Sequence, residues 1–217
     1  MGILHADGAF AEYVALPVGN LHRVPDSIDD ECGVFTEPLA AAFEILDQVP
    51  DVSGARAVVL GYGKLGLLVA QVLASAGAHV VLAGRHPEKL ARAAALGIPT
   101  GDPPPGADLV VDATGAPAGL AAALGIVRPR GTVVMKTTIA ARHEVDLAPA
   151  VINEVSLVGS RCGRFAPALD ALVAGRVRVA PLVDGVYALA DAVDAFARAA
   201  TPGTFKVLVD CRPTPSR

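Results

Sequence analysis

Short apolar runs that do not alternate with polar residues constrain this chain more than any other feature. They stand at AVVL (57–60), HVVLA (79–83), DLVVDAT (108–114), TVVMK (132–136) and VSLVGS (155–160). A strand with one wet face alternates apolar and polar side chains; a strand without alternation is buried on both faces. Between the runs lie stretches of helical period. After GYGKLG, residues Leu68, Val69, Val72, Leu73 and Ala76 share one face, PEKLARAAALG is closed by Gly97, and GLAAALGIV and APALDALVAG follow in turn. RPRG reads as a turn ahead of the strand at 132–136, and DPPPGA as a proline-rich loop. Doubly buried strands joined by helices predict an α/β fold with a parallel, doubly wound sheet.

Such a core needs apolar material, and the 217 residues supply it, with 53% apolar and 18% charged against about 45–50% and about 25% in ordinary globular chains. Net charge is −4 with no run of Lys or Arg, so neither nucleic acid nor an anionic membrane is an expected partner. Cys32, Cys162 and Cys211 belong to no CxxC or Cys–His cluster, which predicts free thiols in a reducing cytoplasm and no self-contained zinc lobe. MGILHADG lacks the pattern of a signal peptide. LLVAQVLASAGAHVVLAG (67–84) is long and uncharged, but Gly77 and His79 divide it into a helix and a strand.

GYGKLG (61–66) stands between the first strand and its helix. Gly61, Gly63 and Gly66 have the G-x-G-x-x-G spacing. The first permits a tight turn, the second lets the backbone approach a pyrophosphate, and the third lets helix and strand pack closely. Lys64 and Leu65 open the helix, whose free N–H groups and positive dipole end face the phosphates. A glycine-rich turn alone is a weak signal; a strand before it and a helix after it are the confirming context. A dinucleotide is therefore the expected ligand.

The end of the second strand separates the two nicotinamide coenzymes, because NAD enzymes place an acid there for the ribose 2′-hydroxyl. AGRHPEK has Gly84 at that place, then Arg85 and, one helical turn on, Lys89. Gly84 leaves room for a 2′-phosphate, Arg85 can bind it through two charge-assisted hydrogen bonds, and Lys89 can lean toward the same ribose. A solvated loop cation is the bland alternative for Arg85. NADP is the expectation, with NAD the other choice. Thr114 and Gly115, at the carboxyl end of the third strand, are expected beside the nicotinamide ribose. Lys136 reads either as a contact to ribose or substrate or as a solvated strand end. Cys162 has no His companion in sequence and reads as a bystander.

The two ends of the chain behave differently from the middle. Residues 8–24 (GAFAEYVALPVGNLHRV) are β-like with turn punctuation, and 182–210 run strand, helix (DAVDAFARA), turn and strand (FKVLV). Neither completes a domain, and an apolar strand without a hairpin partner exposes edges and apolar surface. FTEPLAAAFEIL (35–46) sets Glu37 just ahead of an apolar stretch. Thr36 as N-cap, Glu37 in the first turn and Pro38 early in a helix account for it locally. Membership of a polar site completed elsewhere in the chain is the other reading, and both can hold.

In order, DGAFAEYVALP, the TEPLAAA helix, VLGYGKLGLLVAQ, DATG, RPRGTVV and VGSRCG resemble the zinc-type alcohol dehydrogenases of the medium-chain dehydrogenase/reductase superfamily, in their polyol- and threonine-dehydrogenase-like branch. The resemblance implies a Rossmann domain at 41–178 inserted in a GroES-like β-rich catalytic domain, of which 1–40 is a remnant and 179–217 the return segment. It also implies that Glu37 is a ligand, or water-mediated partner, of a catalytic zinc that polarises the substrate oxygen while hydride passes to the nicotinamide. Family members carry further ligands, a Cys and a Gly-His-Glu motif, upstream of the segment that DGAFAEY resembles. Met1 falls after these, which suggests a fragment, a late-start product or a degenerate relative. Zinc needs three or four ligands, and His5, His22 and Asp7 have no ligand spacing, so the metal site is expected to be incomplete.

The expected activity is hydride exchange between NADP and a secondary alcohol, polyol or sugar and its carbonyl. A non-catalytic dinucleotide-binding module and a zinc-independent, quinone-reductase-like enzyme are the alternatives. A homodimer through the sheet edge near VSLVGS is a further implication of the resemblance.

Overall fold

The computed structural model describes residues 5, 7–84, 87–139 and 144–212, with the backbone alone at 87–89. Two helices precede the sheet: α1 (Asp30–Gly33), capped by the Asp29 carboxylate, which accepts from Cys32 N–H at 2.7 Å, and α2 (Thr36–Gln48). The alternation then runs β1 (Arg56–Leu60), α3 (Lys64–Ser75), β2 (His79–Ala83), α4 (Pro87–Ala95), β3 (Ala107–Asp112), α5 (Gly119–Ile126) and β4 (Val127–Met135). It continues through α6 (Ala148–Ile152), β5 (Ser156–Gly159) and α7 (Phe165–Val173). These five strands form one parallel sheet in the order β2-β1-β3-β4-β5. Beyond β2 the chain adds one parallel bridge, Leu82 to Thr100, with Leu82 N–H donating to Pro99 O at 2.9 Å.

Burial explains the missing alternation. Ala57 and Val59 enter one apolar cluster, with Leu39 and Ile45 of α2, Leu68 and Val72 of α3, and Leu172 of α7. Val58 and Leu60 enter a second, with Ala123 and Leu124 of α5 and Ala150 of α6. Successive residues of one strand thus serve cores on opposite faces. This is the α/β, doubly wound architecture that the apolar runs predict.

RPRG is not a turn between elements but lies inside β4. Ala107 pairs with Val127 and Leu109 with Thr132, so two steps of β3 run beside five of β4. The excess is taken up by a bulge in which Arg130 has φ +59°. The turn chemistry is present, but neighbouring strands hold the chain on both sides of it.

At the C-terminal end, β6 (Val183–Ala188), α8 (Ala192–Ala199) and β7 (Lys206–Asp210) follow the strand, helix, strand order read from sequence, and the two strands pair in parallel with α8 as their crossover. The pair is anchored on α4. Arg92 donates to Asp184 at 2.8 Å and stands 4.5 Å from the Phe205 ring centroid, while Asp184 also accepts from Phe205 N–H at 2.5 Å. Leu182 and Phe205 join the same core cluster as α2 and α3.

The N-terminal segment departs from expectation. Residues 7–24 contain no strand and no buried residue; their one regular element is a 3-10 turn at Val18–Asn20. Strand edges are absent there because a β-prone stretch becomes a strand only when another backbone completes its ladder. Apolar exposure is present: Phe10 is 59% and Tyr13 82% accessible. No described helix is long and apolar enough to cross a membrane.

Candidate functional site

The strand order changes direction between β1 and β3, and in such sheets the crevice at that switch point, beyond the carboxyl ends of the strands, receives the ligand. Backbone hydrogen bonds bring those ends level. Gly61 N–H donates to Ala83 O at 3.2 Å, Ala113 N–H to Leu60 O at 2.9 Å, Lys136 N–H to Asp112 O at 2.9 Å and Ser160 N–H to Met135 O at 3.1 Å.

Each glycine of the turn has its own steric reason. Gly61 has φ +101°, and a β-carbon there would lie 2.4 Å from Ala113 O. At Gly66 a β-carbon would lie 1.8 Å from Gly61 O, which is how α3 comes so close to the turn. Gly63 differs, because nothing stands within 4 Å of its would-be β-carbon. Its backbone faces open space, the condition for an approaching ligand. Gly63 is the N-cap of α3, and no side chain satisfies the first N–H groups of that helix. Lys64 is exposed beside them, and Leu65 packs part-buried against the main core.

A second cation, from far along the chain, lies within electrostatic reach of Lys64. Lys206, at the start of β7, has its ammonium 5.1 Å from the Phe35 ring centroid. Burial pushes Lys206 below the ordinary lysine range and the nearby Lys64 charge acts the same way, with the Glu37 carboxylate opposing them. Lys206 is missing from the sequence-based set. FKVLV announces only a strand, and its place beside GYGKLG depends on how β6 and β7 dock.

The other expected residues have less freedom than supposed. Asp112 is buried, and its Oδ1 accepts from Thr114 N–H (3.0 Å), Thr114 Oγ1 (2.8 Å) and Thr137 Oγ1 (2.9 Å). Thr137 Oγ1 in turn accepts from Gly115 N–H at 3.0 Å. Thr114 and Gly115 do lie at the crevice, held in shape by a carboxylate that sequence reasoning passed over. Its signal was an acid directly after the apolar run 109–111. Lys136 is neither solvated nor directed at open crevice. It is buried, and its Nζ donates to Ala41 O of α2 and to Arg161 O at 3.2 Å. Burial holds its ammonium below the usual range, opposed by Glu44, Cys162 and Glu37.

The room expected at Gly84 is taken by the Tyr62 ring, whose Cδ1 would lie 1.4 Å from a β-carbon there. Arg85 lies outside the described residues. Lys89 falls in the first turn of α4, with its side chain likewise outside them.

Glu37 occupies the first turn of α2, exposed. Thr36 is not the N-cap: helix geometry begins at Thr36 itself, and its hydroxyl donates to Gly33 O at 2.7 Å instead of accepting from a helix N–H. Among the described residues no three His, Cys, Asp or Glu side chains gather to hold a metal ion. Glu37 therefore has no co-ligands among them, and the described residues do not make a zinc site. Cys162 is a free, exposed thiol. A cleft of about 410 Å³ lies at the amino end of β2 between Gln71, His79, Leu96 and Arg178, away from this crevice.

No family model matches the chain. It is 29% identical to a 2-dehydro-3-deoxy-L-galactonate 5-dehydrogenase of Pseudoalteromonas atlantica, across 97% of this chain and 67% of that protein. It is 30% identical to D-xylulose reductase A of Aspergillus niger, across 94% and 63%. Among solved structures it superposes with TM-score 0.86 on a protein of Sinorhizobium meliloti 1021, described as a zinc-binding dehydrogenase and bound to NADP. That pair shares 28% identity over 95% of this chain and 67% of the other. An Escherichia coli CFT073 alcohol dehydrogenase complexed with NADH shares the fold at TM-score 0.86 and 24% identity, over 95% and 67%. The chain thus spans about two thirds of the length of the proteins it matches, 63% in the case of the xylulose reductase.

Proposed function

We propose that this chain, similar to zinc-type alcohol and polyol dehydrogenases of the medium-chain dehydrogenase/reductase superfamily, is one of them, binds NADP in the crevice of its parallel sheet and serves hydride exchange with a secondary alcohol, polyol or sugar. One observation carries the reading. The uncapped amino end of a twelve-residue helix opens at Gly63 onto empty space, with Lys64 exposed in its first turn and Lys206 close enough to feel the Lys64 charge. Unsatisfied N–H groups, the positive end of a helix dipole and two ammonium groups suit a diphosphate.

The roles follow from position. Gly61 and Gly66 hold the turn tight against β3 and α3, and Gly63 admits the diphosphate to the backbone. Lys64 and Lys206 neutralise it. Their mutual repulsion, which helps depress Lys206 in the free protein, is relieved when an anion lies between them. Asp112 fixes Thr114, Gly115 and Thr137 as a rigid wall on the side of the nicotinamide ribose. Lys136 ties α2, and so Glu37, to the carboxyl end of β4. Arg85 and Lys89 grip the 2′-phosphate. The bound nicotinamide supplies the chemistry, taking or giving a hydride at the substrate carbon. The outer edge of β5 is the proposed surface for a homodimer.

Titration of the protein with NADP and NAD tests this, together with a screen of polyols and sugar alcohols for growth of reduced-nicotinamide absorbance. NADP is expected to bind at least about tenfold tighter, the effect of one charge-assisted contact. Affinity for both coenzymes should fall as pH rises through the depressed Lys206 pKa, because the bound form needs the ammonium. Tighter NAD overturns the coenzyme choice. Binding without turnover points instead to a dinucleotide-binding module.

A further inference from the structure

Tyr62 sits between the first two glycines of the turn, and its ring lies against the backbone of Gly84. A β-carbon on Gly84 would fall 1.4 Å from Tyr62 Cδ1 and 1.6 Å from Cε1. These are covalent-bond lengths, so no side chain can occupy position 84 while the ring stays. The ring is aimed by a turn with little freedom of its own, since Gly61 at φ +101° is pressed against the Ala113 backbone.

Position 84 directly follows β2. There, roughly 20 residues beyond the glycine turn, a dinucleotide-binding sheet places the carboxylate that accepts from a ribose 2′-hydroxyl. We propose that Tyr62 sets the coenzyme preference of this chain by filling the seat of that carboxylate, so that Tyr62 and Gly84 act as one specificity-determining pair. The assignment rests on the dinucleotide reading and goes beyond it, because that reading chose between coenzymes by the missing acid at 84 and the cations at 85 and 89, and gave Tyr62 no part. A carboxylate at 84 would accept from the hydroxyl of NAD and repel the phosphate of NADP. An uncharged ring in its place does neither. Both consequences favour the phosphorylated coenzyme before any cation acts.

The test compares wild type, Gly84→Asp, Tyr62→Ala and the double variant, each titrated with NADP and NAD and each melted. Gly84→Asp alone is expected to lower Tm by about 5 °C or more, from the clash with the ring, without turning the preference to NAD. With Tyr62→Ala added, Tm should recover and the NAD-to-NADP affinity ratio rise by about tenfold or more over wild type, the worth of one charged hydrogen bond. Tyr62→Ala alone removes a ring packed against the main core and should itself lower Tm, so the double variant is expected to recover to the Tm of Tyr62→Ala. The assignment is overturned if Gly84→Asp alone swings the ratio as far as the double variant, or melts with wild type. A wild type that binds neither coenzyme removes the dinucleotide reading and this assignment together. A wild type that prefers NADP, beside a single Gly84→Asp variant that prefers NAD, removes the assignment alone.

Discussion

The two ends of this chain carry similar material and meet different fates. Residues 7–24 contain Phe10, Tyr13, Val14, Leu16 and Val18, and residues 182–210 contain Leu182, Val183, Val186, Phe205 and Leu208. Both stretches are β-prone. The C-terminal one becomes two paired strands with a crossover helix, buries Leu182, Phe205 and Leu208, and is fastened to α4 through Arg92 and Asp184. The N-terminal one stays irregular and buries nothing. The difference lies in partners. β6 and β7 satisfy each other's backbone groups and share a core with the sheet, whereas residues 7–24 have no ladder to join. What they touch of the other end is slight: the Phe10 and Phe196 rings meet edge-on with centroids 5.2 Å apart. Intrinsic strand preference is mostly a statement about packing surroundings, and here those surroundings decide.

The comparison is tested hardest where the C-terminal end enters the core. Phe205 is nearly buried, lies under the Arg92 guanidinium and directly precedes Lys206. Phe205→Ala is expected to destabilise the protein by about 3 kcal/mol, through lost burial and the cavity left behind. Because Lys206 loses its anchor, coenzyme affinity should fall as well. Urea unfolding and a coenzyme titration of the same variant check both outcomes. A loss below about 1 kcal/mol would mean that this end rests on the sheet as loosely as residues 7–24 do.

The Asp184 carboxylate is the next test. It joins Phe205 N–H to Arg92, and its side chain is only 9% exposed. Burial alone would raise its pKa, but the Phe205 amide and the Arg92 guanidinium outweigh it, and the group is held below 3.8. A carboxyl depressed in the native state contributes stability that is present above its unfolded pKa and is lost as pH falls through the native value. Asp184→Asn should therefore cost about 2 kcal/mol near neutral pH, leaving Arg92 without its charge partner. The gap between the variant and the wild type should begin to narrow at about pH 4 and close only as pH falls through the lower native pKa. A gap that persists at low pH would assign the loss to packing and not to charge.

The same contrast marks how far sequence could be read. The parallel sheet was legible because unalternating runs such as Val58–Leu60 can be satisfied only by burial on both faces. GYGKLG was legible because its neighbours in sequence are its neighbours in space. Lys206 and the Tyr62–Gly84 contact were not, since both depend on how distant segments dock. Asp112 announced itself as an acid after three apolar positions, but only the geometry shows it organising Thr114 and Thr137. RPRG carried honest turn chemistry that its sheet neighbours absorbed as a bulge. Lys136 was ambiguous between crevice and solvent, and two backbone carbonyls took it to neither.

The smallest expected effect belongs to the N-terminal end. Phe10 is more than half exposed and touches Phe196, itself 57% exposed, through one edge-on ring contact. Exposed aromatic contacts of this kind contribute about 0.5 kcal/mol, so Phe10→Ala should change stability by no more than about that amount. Tyr13→Ala, with no such ring contact, should not register. Hydrogen exchange offers the sharper measurement. Amides of residues 7–24 lack strand partners and should exchange close to the unprotected rate, while those of β7 should be protected nearly as long as those of β1. Protection in 7–24 comparable to β7 would show that this stretch has found a ladder after all, and the contrast between the two ends would vanish.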